Sequence, residues 1–138
     1  MAMIVKEALI AAPQELIWAA VRDIGQIHVK LCPGFVVDTE MDGADRIVTF
    51  GNGLKVRERI VNLDDDARRI SWNVVSERLT HHHAVLQVFP TEKQGWSRVT
   101  WIAELLPHEV APAVEAMIEE GMAAMTRKLE MDAAAVAI

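Results

Sequence analysis

From Phe35 to Leu105 apolar residues recur at every second position, and beyond Pro107 they recur at helical spacing. That change of period constrains the fold more than any other feature, because residues two apart share a face of a strand, whereas residues three and four apart share a face of a helix. Six segments carry the strand period: Phe35 to Met41, Asp45 to Phe50, Leu54 to Leu63, Arg68 to Val75, Thr80 to Phe89 and Ser97 to Leu105. Short turn signals separate them, namely Asp42-Gly43, Gly51-Asn52-Gly53, Asp64-Asp65-Asp66 and Thr91 to Gly95. Strands joined this closely run antiparallel. After Pro107 the stripe Val110, Val114, Met117, Ile118, Gly121, Met125, Leu129 predicts a helix of about 24 residues, or roughly 36 Å. Such a helix reaches across the whole sheet.

The N-terminal third fits the same plan. Met3 to Ala11 reads as a short strand, and Ala12-Pro13 opens a helix whose inner stripe is Ile17, Val21 and Ile24. A second helical turn spans Gln26 to Leu31 and stops at Cys32-Pro33-Gly34, which cannot continue it. The expected architecture is α+β: a curved antiparallel sheet of about seven strands wrapped on a long C-terminal helix, with two short helices after the first strand.

Composition narrows the function. The 138 residues carry no repeat or linker, and they fit one domain, 1–138. A net charge of −6 argues against nucleic acid as a partner. Apolar runs far shorter than about 20 residues argue against membrane insertion. The stretch MAMIVKEALIAAP has none of the layout of a secretory signal, so a cytoplasmic location is expected. A single cysteine, Cys32, rules out an internal disulfide and any multi-cysteine metal site. No motif calls for a cofactor or a metal. Asp64-Asp65-Asp66 lacks the glycine and terminal glutamate of a calcium loop, no GxSxG occurs, and no helix follows the glycines of Gly51-Asn52-Gly53.

Alternation then orients individual side chains. In Leu54 to Ile60 the charges Lys55, Arg57 and Arg59 share the wet face, which turns Glu58 inward with Val56. If Gly51-Asn52-Gly53 closes a hairpin with Phe50 opposite Leu54, then Val48 faces Val56 and Arg46 faces Glu58. Matching inward faces across the aspartate turn places Ile70 opposite Ile60 and Trp72 opposite Glu58. In the last hairpin Val99, Trp101, Ala103 and Leu105 face inward, and so do Ala84, Leu86 and Val88. His82 joins them. His81 and His83 go to the solvent side, His81 opposite Glu104, and three histidines on one strand cannot converge on one ion.

The order of elements, with "AAPQELIWAAVRDI", "GNGLKVRERIVNLDDDARRISWNVV", and "SRVTWIAELLP" followed by "EEGMAAMTRKLE", resembles the START/polyketide cyclase-like (SRPBCC, Bet v 1-like) superfamily over essentially the whole chain. The resemblance implies a helix-grip fold and a small hydrophobic or aromatic molecule held between sheet and helix. It carries over no catalytic motif. Candidate wall residues are Ile27 and Leu31 before the strands, and Phe35, Val48, Phe50, Val56, Trp72, Leu86 and Trp101 on them. On the long helix they are Met117, Gly121, Met122 and Met125, a stretch able to adapt to ligand shape. All would serve a dry core equally well.

Three functions remain in view. The first is a carrier or receptor in which Arg46, Glu58 and His82 supply the polar contacts. The second is a cyclase/aromatase- or dehydratase-type enzyme, with Glu58 or His82 moving a proton and Arg46 facing a developing oxyanion. The third is a homodimer through Phe89 and Trp96, paired on the outer face of the last hairpin. For Arg46 and Glu58 a structural ion pair is the commoner alternative. Trp18, beside the inner stripe of its helix, is expected to pack against the C-terminal helix.

Overall fold

The computed structural model describes residues 1–136. Strand β1 (Ala2–Ile10) is followed by two short helices, α1 (Gln14–Arg22) and α2 (Ile27–Lys30). Strands β2 (Val36–Asp42), β3 (Asp45–Phe50), β4 (Lys55–Asp64), β5 (Arg69–Val75), β6 (His81–Pro90) and β7 (Ser97–Leu106) come next. A 3-10 turn, His108–Val110, leads into the long helix α3 (Ala111–Val136). The seven strands form one antiparallel sheet in the order β1-β7-β6-β5-β4-β3-β2. Helix α3 lies on its inner face, and the architecture is the helix grip that the period change predicts.

The central strands bury one side, while edge strand β2 is exposed along most of its length. On β6, Ala84, Leu86 and Val88 are buried, and on β7 Val99, Ala103 and Leu105 are, so the alternation read from the sequence is the alternation of the sheet. Ile10, Ile17, Leu105, Met125 and Leu129 are almost wholly excluded from water and join β1, α1, β7 and α3 in one core. At the sheet edge Lys6 turns inward and bridges Glu115 (2.8 Å) and Glu119 (2.9 Å) of α3.

Two strand registers need correction. Strand β4 runs on to Asp64, and Arg68 takes the left-handed conformation (φ 51°) to close the turn. A bulge at Val61 adds a residue, so Ile60 and Leu63, three apart, both face inward. Trp72 therefore lies opposite Ile60, and Val74 opposite Glu58. In the last hairpin Pro90 pairs with Ser97, which places His83 opposite Glu104 and His81 opposite Leu106. Trp18 is anchored at its polar end: its indole N–H donates to Asp65 Oδ1 (2.8 Å), and Arg22 grips the same carboxylate. Asp65, on the exposed β4–β5 turn, thus ties α1 to that turn. The rings of Phe89 and Trp96 are each covered by a cation, Arg98 4.4 Å above Phe89 and Lys93 4.5 Å above Trp96.

Candidate functional site

The β3–β4 hairpin builds the polar end of the site. Phe50 and Leu54 close it through Gly51-Asn52-Gly53, where Gly53 has φ +89° and Asn52 Oδ1 accepts from the Leu54 N–H. That closure sets Val48 opposite Val56 and Arg46 opposite Glu58. Arg46 Nε donates to Glu58 Oε1 at 2.8 Å, and the two residues are 5 % and 8 % exposed. A second guanidinium N–H reaches the Ile24 carbonyl (3.4 Å), and the guanidinium carbon lies 5.5 Å from the Trp72 ring centroid. Charges buried this deeply persist only as a pair with further partners. On the opposite face the same hairpin is clasped by Asp45, which accepts from Arg57 and Arg59 and is held well below the ordinary carboxylate range by them, Arg59 first.

His82 belongs to the same inner face. Asn73 pairs with His83, so one rung further on His82 stands beside Val74, which itself pairs with Glu58. Glu58 and His82 thus share a row across the sheet, two strand spacings or about 10 Å apart. Burial, reinforced by His81 and His83 on either side, pushes the His82 imidazole down to about 4. It is neutral at physiological pH. Its Nδ1 is buried without a hydrogen-bond partner. His83 faces outward and meets Asn73 Oδ1 through Nδ1 (2.6 Å). Cys32 is buried too, and desolvation pushes its thiol up to about 12, which leaves it protonated and unreactive.

These groups open into a cavity of about 540 Å³ between sheet and helix. Of the residues singled out in the sequence, Ile27, Leu31 and Phe35 form its floor before the sheet. Val48, Phe50, Val56, Trp72, Leu86 and Trp101 line it from the sheet, and Met117 and Met125 from α3. Arg46, Glu58 and His82 reach it as well. Gly121 and Met122 do not. Met122 packs into the core, and Gly121 is shielded from the cavity by the rings of Phe35 and Trp101 that press on it. Phe35 meets Phe50 edge-on at 5.2 Å, and Trp72 meets Trp101 edge-on at 5.9 Å. The chain's mouth residues escaped the sequence reading: Leu54 and Lys55 on the β3–β4 side, Ser76 to Leu79 in the β5–β6 loop, and Val110 and Val114 entering α3. A polar loop such as Ser76-Glu77-Arg78 reads as an ordinary turn. Among the described residues no group of three His, Cys, Asp or Glu side chains is placed to hold a metal ion, and no helix is long and apolar enough to cross a membrane.

A curved antiparallel sheet closed over one long helix, with an apolar cavity between them and a few buried polar groups in its wall, defines a protein of the helix-grip class. Residues 1–130 match the polyketide cyclase / dehydrase and lipid transport family, and the chain belongs to that family. Solved structures agree on the fold. A protein from Thermobifida fusca is 27 % identical with a TM-score of 0.74, covering 94 % of this chain and 91 % of that one. Norcoclaurine synthase from Thalictrum flavum, in complex with dopamine and hydroxybenzaldehyde, is 20 % identical with a TM-score of 0.68, covering 94 % and 84 %. The di-domain ARO/CYC BexL of the BE-7585A biosynthetic pathway is 16 % identical with a TM-score of 0.79, over 94 % of this chain and 47 % of that longer one. No curated protein sequence matches the chain.

Proposed function

We propose that the protein binds a small, predominantly apolar or aromatic molecule in the cavity between sheet and α3. The observation that carries this reading is the cavity itself. Its volume of about 540 Å³ lies within the range of roughly 300–1,000 Å³ usual for small-molecule sites, and its apolar wall is broken by the Arg46–Glu58 pair and His82. Arg46 and Glu58 cancel each other's charge and His82 is neutral, so an uncharged ligand meets hydrogen-bonding groups without an uncompensated ion. The aromatic molecules held by the norcoclaurine synthase relative add support by analogy. Titration with N-phenyl-1-naphthylamine, an uncharged fluorophore that brightens in apolar surroundings, tests the reading. The expected result is saturable binding at one site that Val56→Trp, which fills the cavity, abolishes. Absence of binding, or binding that survives Val56→Trp, would sink it.

A second reading is catalytic, and the shared row of Glu58 and His82 favours it. With Nδ1 sealed, Nε2 of His82 is the nitrogen left to a ligand; burial keeps the ring neutral but makes it a weak base, so proton abstraction would depend on stabilisation of the product anion more than on the imidazole's basicity. His82 would take the proton from a carbon next to a carbonyl, while Arg46 holds the oxygen that becomes the enolate. Exchange of the α-protons of 2-tetralone into deuterium oxide, followed by NMR, separates the two readings. Exchange accelerated by the parent protein and lost in His82→Ala supports catalysis, whereas equal rates leave binding alone.

A further inference from the structure

We propose that Gly121, which does not itself line the cavity, sets the cavity's bore and hence the bulk of the molecule it admits. The inference rests on the cavity's being the ligand site. A Cβ built on Gly121 would lie 2.9 Å from Phe35 Cε2 and 2.9 Å from Trp101 Cζ3, with Phe35 Cζ at 3.2 Å. Carbon atoms pack comfortably at about 3.5–4.0 Å, so both rings rest on bare helix backbone and use the space a side chain would take. Both rings also line the cavity, standing between α3 and the void. Any side chain at 121 must therefore displace them, and the void they line is the space open to receive them.

The displacement does not stop at two residues. Phe35 leans edge-on against Phe50, and Trp101 leans against Trp72, whose ring carries the Arg46 guanidinium. One glycine thus holds back the middle of an aromatic wall that ends at the Arg46–Glu58 pair. Narrowing at this point penalises wide ligands and leaves narrow ones room, which a purely structural glycine would not do.

Two probes with the same hydroxyl and different breadth provide the test: 2-naphthol with two fused rings and 1-hydroxypyrene with four. Affinities for the parent and for Gly121→Ala are measured by tryptophan quenching, alongside thermal unfolding. The expected result is a loss of about tenfold or more for 1-hydroxypyrene relative to 2-naphthol, the scale of an overpacked site. Adding Phe35→Leu to Gly121→Ala should restore the parental ratio. A lower melting temperature with an unchanged ratio overturns the proposal. If Gly121→Ala does not fold, the ratio is read from Phe35→Leu alone, where a shift toward the four-ring probe supports the proposal and no shift overturns it. Failure of the parent to bind either probe overturns the ligand reading and this inference with it.

Discussion

Arg46 and Glu58 are the residues at which stability and function separate most cleanly. Removing one partner strands a charge in an apolar wall, so Arg46→Met or Glu58→Leu alone should lower unfolding free energy by about 3–5 kcal/mol. The double substitution Arg46→Met/Glu58→Leu replaces the pair with packed hydrocarbon and should recover most of that loss. Urea denaturation of the four proteins measures the cycle. A double variant as unstable as the worse single one would show that the pair is held by more than its own charges. His82 makes a separate prediction in pH. Its imidazole titrates at about 4 in the folded protein against 6.5 in the ordinary case, so between those values the unfolded chain binds a proton that the folded one refuses. Stability is therefore complete above about pH 6.5 and falls as pH drops toward 4. Asp45 and Asp65, whose carboxyls arginine holds below 3.8, add their losses only at lower pH. Replacing His82 by Gln should flatten the urea midpoint between pH 6.5 and 4 and leave the steeper acid limb in place.

At the scale of elements, two glycines of one turn have opposite duties. A Cβ on Gly51 would stand 2.5 Å from the Gly34 carbonyl oxygen, while the Gly51 N–H donates to the Phe35 carbonyl (2.9 Å). Gly51 thus lets the β3–β4 turn dock on the segment that presents Phe35 to the cavity. Gly53 has open space around its Cβ position and needs only its positive φ. Gly51→Ala should cost about 1–3 kcal/mol by backbone overpacking and weaken probe binding with it, whereas Gly53→Asn, which tolerates the left-handed region, should change little. Thermal melts and fluorophore titration compare the two. The same hairpin explains what the sequence could disclose. A three-residue glycine turn with an apolar residue on each side fixes register locally, so the Arg46–Glu58 rung was legible. The β4–β5 rung was not, because the bulge at Val61 and the left-handed Arg68 leave no pattern in the residues, and Trp72 consequently sits two positions from where matched faces put it. The alternation of β6 and β7 located His82 correctly on the inner face for the same local reason.

For the whole molecule the question is which part of the interior is core and which is wall. Periodicity cannot distinguish them, since Met117 and Met122 sit on the same helix with the same chemistry and only Met117 reaches the cavity. The division follows α3. Its first half brings Val114, Met117 and Ile118 to the void, next to the mouth at Val110. Beyond Met125, the last α3 residue to reach the void, the helix is sealed: Leu129 is 0 % exposed, Ile10 and Ile17 are equally buried, and Glu130 accepts from the Ala11 N–H (2.9 Å). A grip of this kind can keep an open cavity because it is held shut at the other end. Leu129→Ala should therefore cost about 2–5 kcal/mol in urea denaturation while leaving the affinity for N-phenyl-1-naphthylamine within about twofold. Val114→Trp should do the reverse, filling the void with little loss of stability and excluding the probe. If Leu129→Ala weakened binding as much as Val114→Trp, the two halves of the helix would be one cooperative wall, and the cavity would depend on the entire core.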